Sequence, residues 1–172
     1  QAILPQLPAG FPMPILLVQH MPKTFTAVFA QRLDEICQIR VKEAQDGDRL
    51  LPGHAYLAPG GHQMILDPAS KDRVKVFPSD ERVTYKPSVD VTFASVAKGY
   101  SSRTLAVVLT GMGSDGCEGA RLLKRAGATV WAQSKNSCTI FGMPKAVIVA
   151  GLADSVLELA DIGQLFKQRG QR

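Results

Sequence analysis

The run Ile15–Gln19 is apolar almost throughout and closes at Pro22, the pattern of a strand buried on both faces. Thr26 precedes a helical pattern that sets Val28, Phe29, Leu33 and Ile36 on one inward face. Between Val41 and Phe77 the pattern shortens to strands at Val41–Glu43, Ala55–Ala58, Gln63–Leu66 and Val74–Phe77. Turn signals at Asp46-Gly47-Asp48, Pro59-Gly60-Gly61 and Pro68 divide them. Ser88 is placed to cap a helix running to about Gly99, with Val89, Phe93 and Val96 facing inward.

From there strands and helices alternate. Leu105–Leu109 reads as a strand, Glu118–Arg125 as a helix and Thr129–Ala132 as a strand. Pro144 opens a helix to about Ala150, stopped by Gly151; Val156–Leu159 is a last strand and Asp161–Gln168 a closing helix. This rhythm predicts an α/β fold, a doubly wound, mostly parallel sheet flanked by helices. A short antiparallel hairpin insertion is expected near residues 55–77. Ala2, Ile3 and Leu4, ahead of the prolines, read as the last turn of a helix in a frayed opening segment. A helix before the first strand implies an earlier βα unit, so the first βα unit is expected to be missing from this chain.

A length of 172 residues suits one domain, and 45% hydrophobic with 20% charged residues is an ordinary globular balance. Apolar stretches such as Leu105–Leu109 and Ala146–Ala153 are too short to span a bilayer, so membrane insertion is not expected. The opening QAILPQLPAG has no charged start and no long apolar run, and no signal peptide is expected. Three scattered cysteines, Cys37, Cys117 and Cys138, suggest neither a disulfide framework nor a zinc knuckle and fit a reducing cytoplasm. The net charge of +5 is spread out, with only short pairs such as Lys124-Arg125. That spread argues against nucleic-acid binding and is compatible with an acidic partner.

Ligands of open α/β sheets sit at the carboxyl ends of the strands, and two such ends carry suggestive residues. His20 directly follows the first strand; it is either a base facing a cleft or a satisfied structural histidine. Thr110–Gly116 joins a strand to a helix and holds three glycines in seven residues. Backbone N–H groups in such a turn can cradle a phosphate or an oxyanion. The turn matches G-x-G-x-x-G through Gly111, Gly113 and Gly116, so a nucleotide-binding module is one reading. Against it, Gln133-Ser134-Lys135-Asn136 replaces the expected acid after the next strand, and Asp115 would oppose a pyrophosphate. Asp115 is alternatively a helix cap, or the carboxylate that orients a histidine.

Other candidates are weaker. His54 and His62 lack a carboxylate at ligand spacing, so no metal site is expected. Cys117 opens a helix and is either a nucleophile or a small buried apolar residue. Phe141-Gly142-Met143-Pro144 either lines the same cleft or merely turns the chain. There is no G-x-S-x-G, and Ser114 beside Asp115 fits a triad poorly. The nucleophile for a His–Asp pair is therefore Cys117, or it lies outside this chain.

Five stretches in order carry a resemblance: VQHMPKTFTAVFAQRLD (18–34), AYLAPGGHQM (55–64), KPSVDVTFASVA (86–97), VVLTGMGSDGCEGA (107–120) and AQ…FGMPKA (132–146). The chain resembles the catalytic domain of the bacterial chemotaxis protein-glutamate methylesterases over nearly its whole length. The resemblance implies a single catalytic domain over 1–172, N-terminally incomplete and without the family's phosphorylatable receiver domain. It implies a cytoplasmic hydrolase with a Ser-His-Asp triad and no cofactor, acting on glutamyl methyl esters of chemoreceptor cytoplasmic helices, and in some members on receptor glutamines. By position, His20 is its general base, Asp115 the orienting carboxylate and the Met112 N–H an oxyanion donor. The family's serine lies upstream of the segment matching Gln1, so the chain alone is expected to be inactive. A catalytically inactive receptor-interaction domain is the third reading.

Overall fold

The computed structural model describes residues 1–170. They form two compact units, one of Gln1–Ser88 with the chain from Ala160 onward, the other Val89–Leu159.

In the first unit, β1 (Ile15–Leu17), β2 (Arg40–Glu43) and β3 (His54–Leu57) make a parallel sheet of order β1-β3-β2. Ile15, Leu16 and Leu17 pair with Ala55, Tyr56 and Leu57, and Val41 pairs with Ala55. Helix α1 (Lys23–Ile36) connects β1 to β2. The hairpin is narrower than expected: β4 (His62–Leu66) pairs antiparallel with β5 (Val74–Pro78), while β3 belongs to the parallel sheet. Leu33, Ile39, Val41 and Ala55 form one core cluster with Leu4, Leu7 and Phe11.

Two local expectations are corrected here. Residues 2–4 are not the end of a helix: Leu4–Gln6 is a 3-10 turn. The opening segment is not frayed either, because Leu7 and Phe11 are fully buried and Phe11 stacks on Phe166 of α5 (Leu159–Arg169), ring centres 5.5 Å apart. The inward face of α1 is also rotated from the expected one. Thr26, Ala30 and Leu33 are buried, whereas Val28 and Ile36 are 66% and 50% exposed. The buried face is centred on a threonine because Thr26 is hydrogen-bonded inside the unit, as described below.

In the second unit, β6 (Leu105–Val108), β7 (Thr129–Gln133) and β8 (Ser155–Leu157) form a parallel sheet in that order. Helices α2 (Val89–Gly99), α3 (Cys117–Arg125) and α4 (Met143–Val149) accompany it. Ala106, Val108, Val130 and Ala132 on the strands are buried, as are Ala120, Leu123 and Val147 on the helices. A Cβ on Gly119 would stand 2.5 Å from that of Phe93, so α2 and α3 approach as closely as they do only because position 119 is glycine. No helix of the described residues is long and apolar enough to cross a membrane.

Candidate active site

His20 sits in the short loop between β1 and α1, half-buried, at the carboxyl end of the parallel sheet of the first unit. Its imidazole lies flat on the Tyr85 ring, centres 4.4 Å apart and planes 6° from parallel. Tyr85 is held in turn by Gln63 of β4, which is 2% exposed. The Gln63 amide donates to the Tyr85 carbonyl (2.8 Å) and to Ser79 Oγ (2.9 Å), and its oxygen accepts from the Ser88 N–H (2.8 Å). One buried amide thus fixes the segment from 79 to 88 against the strand, and that segment supplies the surface under the histidine.

The other wall of the loop is the Pro59–Gly61 turn. A Cβ on Gly60 would fall 2.4 Å from the Lys23 nitrogen, so glycine permits this turn to lie on the start of α1. Thr26 Oγ1 accepts from the Gly60 N–H (3.1 Å) and donates to Glu43. A cleft of about 570 Å³ opens beside them, walled by Lys23, Ala27, Glu43, Pro59 and His62. His20 does not line it.

Met112 and Asp115 stand on the Gly-rich turn of the second unit. That turn is tied to the 140–143 segment. The Thr110 hydroxyl donates to the Ile140 carbonyl and accepts from the Ile140 N–H, and the Gly111 carbonyl accepts from the Gly142 and Met143 N–H groups. Gln133, fully buried at the end of β7, accepts from the Thr110 N–H at 2.8 Å. The Phe141–Pro144 stretch is therefore the brace of the Gly-rich turn. Beyond the braced Gly111, Met112 is 74% exposed, and its N–H makes no hydrogen bond to any described residue.

Asp115 is 3% exposed and receives two backbone N–H groups, Val89 at 2.7 Å and Asp90 at 2.9 Å. It caps α2, not the helix that follows it in sequence. Asp90 returns the arrangement: its Oδ1 accepts from the Gly116 N–H (2.9 Å) and the Gly119 N–H (2.7 Å) at the start of α3. Each of two helix N-termini is closed by an aspartate at the start of the other. Burial raises the Asp90 carboxyl above its ordinary range despite these bonds, with the Asp115 charge adding to the rise. The arrangement bears on the nucleotide reading, because the N–H groups that would meet a pyrophosphate at α3 already bind the Asp90 carboxylate.

The remaining candidates have local partners. His54 Nδ1 lies 2.8 Å from the Pro52 carbonyl and His62 Nδ1 3.1 Å from that of Gly60. Among the described residues no three His, Cys, Asp or Glu side chains are grouped to hold a metal. Cys117 contacts the Ala146 carbonyl at 3.5 Å, and burial pushes its thiol up, which disfavours the thiolate a nucleophile needs.

The family model described as CheB methylesterase matches residues 1–166. The chain belongs to that family. A protein-glutamate methylesterase/protein-glutamine glutaminase 2 of Pseudomonas fluorescens (strain Pf0-1) is 62% identical over 164 residues, 95% of this chain and 43% of that protein. A protein-glutamate methylesterase/protein-glutamine glutaminase of Pseudomonas putida is 60% identical over the same shares. The chain thus spans less than half the length of these relatives. The crystal structure of the Thermotoga maritima CheB methylesterase catalytic domain matches with a TM-score of 0.91 at 45% identity, covering 98% of this chain and 89% of that one. The α/β fold with parallel sheets, flanking helices and a short antiparallel pair is accordingly the fold of a CheB catalytic domain.

Sequence reading drew attention to His20, Met112 and Asp115 but not to Tyr85, Gln63 or Asp90, which pack against or brace the segments around them. A buried Gln and a ring stacked on a histidine leave no periodic signature. Asp90 had a usable signal, an acidic residue in the first turn of a predicted helix.

Proposed function

We propose that the chain is the catalytic portion of a serine-type hydrolase that removes methyl esters from glutamyl side chains of chemoreceptors and deamidates receptor glutamines. The receptors' cytoplasmic helices are its substrates and the cytoplasm its location. Residues 1–172 act as one catalytic domain of a longer polypeptide that also carries a receiver domain. In this reading the nucleophilic serine comes from the segment preceding Gln1. His20 takes the serine proton as the hydroxyl attacks the ester carbonyl, and Asp115 orients the imidazole. The Met112 N–H receives the oxyanion of the tetrahedral intermediate. The imidazolium returns its proton to the departing oxygen, releasing methanol, and water then hydrolyses the acyl-enzyme by the same steps. No cofactor enters.

The observation that carries this reading is the exposed Met112 on a braced turn, whose N–H makes no hydrogen bond to any described residue, in a chain of the CheB methylesterase family. The test is methanol release from a methyl-esterified chemoreceptor cytoplasmic fragment by the polypeptide that includes the preceding segment. His20→Ala and Asp115→Asn should each lower turnover by about 10³-fold or more. Full activity in either variant would overturn the mechanism.

A further inference from the structure

Gln133 is fully buried at the end of β7, and both ends of its amide are engaged. The oxygen accepts from the Thr110 N–H at 2.8 Å. The nitrogen donates to the Ser137 carbonyl at 2.7 Å and lies 3.3 Å from Ser137 Oγ. Thr110 opens the Gly-rich turn, and Ser137 ends the 3-10 turn Lys135–Ser137 that leads into the 140–143 segment. Those two stretches then meet: the Gly111 N–H donates to the Ile140 carbonyl at 3.0 Å, and the Gly111 carbonyl receives the Met143 N–H at 2.8 Å. One side chain therefore holds the turn from one end and its brace from the other. The contact between them leaves no slack. A Cβ on Gly142 would stand 2.7 Å from the Gly111 oxygen, and one on Gly111 would stand 2.4 Å from the Met143 sulfur. Met112 is the next residue along the turn.

We infer that Gln133 is a positioning residue for hydrolysis, setting the place of the Met112 N–H that receives the oxyanion. The inference rests on the hydrolase reading proposed above. The surroundings call for an amide: the Thr110 N–H needs an acceptor and the Ser137 carbonyl needs a donor, both from one buried side chain. A methionine of similar length offers neither, and a carboxylate would set a charged oxygen against the Ser137 carbonyl. An N–H aimed at the oxyanion acts more strongly on the tetrahedral intermediate than on the ester carbonyl. A shift of the turn by about 1 Å therefore lowers kcat and leaves KM nearly untouched.

The test uses the polypeptide with its preceding segment and the small ester N-acetyl-glutamate γ-methyl ester amide, with turnover counted per site labelled by a fluorophosphonate. Gln133→Met should lower kcat by about 10–100-fold and keep KM within about twofold. The Ki of a boronic acid whose boron replaces the ester carbon, and whose serine adduct is a tetrahedral anion, should rise by a similar factor. Val130→Ala, at a buried position of the same strand, destabilises the unit without touching the turn and should leave kcat and Ki unchanged. If Gln133→Met does not fold, Thr110→Val takes its place: at an exposed position it removes the two hydroxyl bonds to Ile140 and should lower kcat with KM unchanged. Wild-type kcat in the variant used, or an equal loss in Val130→Ala, overturns the positioning role while the hydrolase reading stands. Failure of the unaltered polypeptide to hydrolyse the ester overturns the hydrolase reading, and the role of Gln133 with it.

Discussion

Asp115 and Asp90 each hold a helix start that is not their own, so a change at either acts on folding as well as on any chemistry. Truncation of Asp115 to Ala would leave the buried Val89 N–H and the half-buried Asp90 N–H without this acceptor, a loss of about 1–3 kcal/mol; the Asn variant, which keeps an acceptor, is the better probe of the proposed role. Asp90 gives a sharper prediction because its carboxyl is raised by burial. A folded-state value above the unfolded one means the folded protein holds the proton more readily. The stability owed to this group is therefore greatest below the ordinary carboxylate range and falls as pH rises through the raised value. Asp90→Asn cannot titrate, so its stability relative to wild type should improve over that interval. Urea unfolding of both proteins at about pH 3.5, 5 and 7 checks this; a difference that is flat, or that moves toward wild type, refutes it.

At the scale of elements, Gln63 does for the 79–88 segment what a strand partner would do. Gln63→Leu removes three hydrogen bonds and leaves the Ser88 N–H buried without its acceptor. The expected cost is about 2–4 kcal/mol in urea unfolding, with loss of the upfield ring-current shift that Tyr85 imposes on the His20 imidazole protons. Retention of that shift would mean that Gln63 does not place Tyr85. The strands were legible in sequence because runs such as Ile15–Leu17 and Leu105–Val108 are continuously apolar, although in the structure Leu16, Leu17, Leu105 and Val107 are only half-buried. The inward face of α1 was not legible. Its apolar residues spread over more arc than the core accepts, and the choice was made by Thr26, whose partners Glu43 and Gly60 lie 17 and 34 residues away. The candidate site divides the same way. His20 and the Gly-rich turn stand at strand ends, where pattern alone draws attention. Tyr85, Gln63 and Asp90 act through contacts between residues distant in sequence, which no local pattern encodes.

For the whole molecule, a surplus of five positive charges bears on encounter with an acidic protein more than on the fold. If the substrate is a carboxylate-bordered helix, KM for the receptor fragment should rise several-fold between about 50 and 300 mM NaCl. KM for a small uncharged ester such as N-acetyl-glutamate γ-methyl ester amide should hold. Equal behaviour of the two substrates in a salt titration would remove charge from the account of recognition.

The crossed caps also carry a message about descent. Asp115 closes a helix on which the second unit depends. A lineage that gave up the proposed hydrolysis would still need that cap. In a diverged sequence of this fold, the aspartate at this position therefore testifies to folding and cannot by itself serve as the signature of an activity.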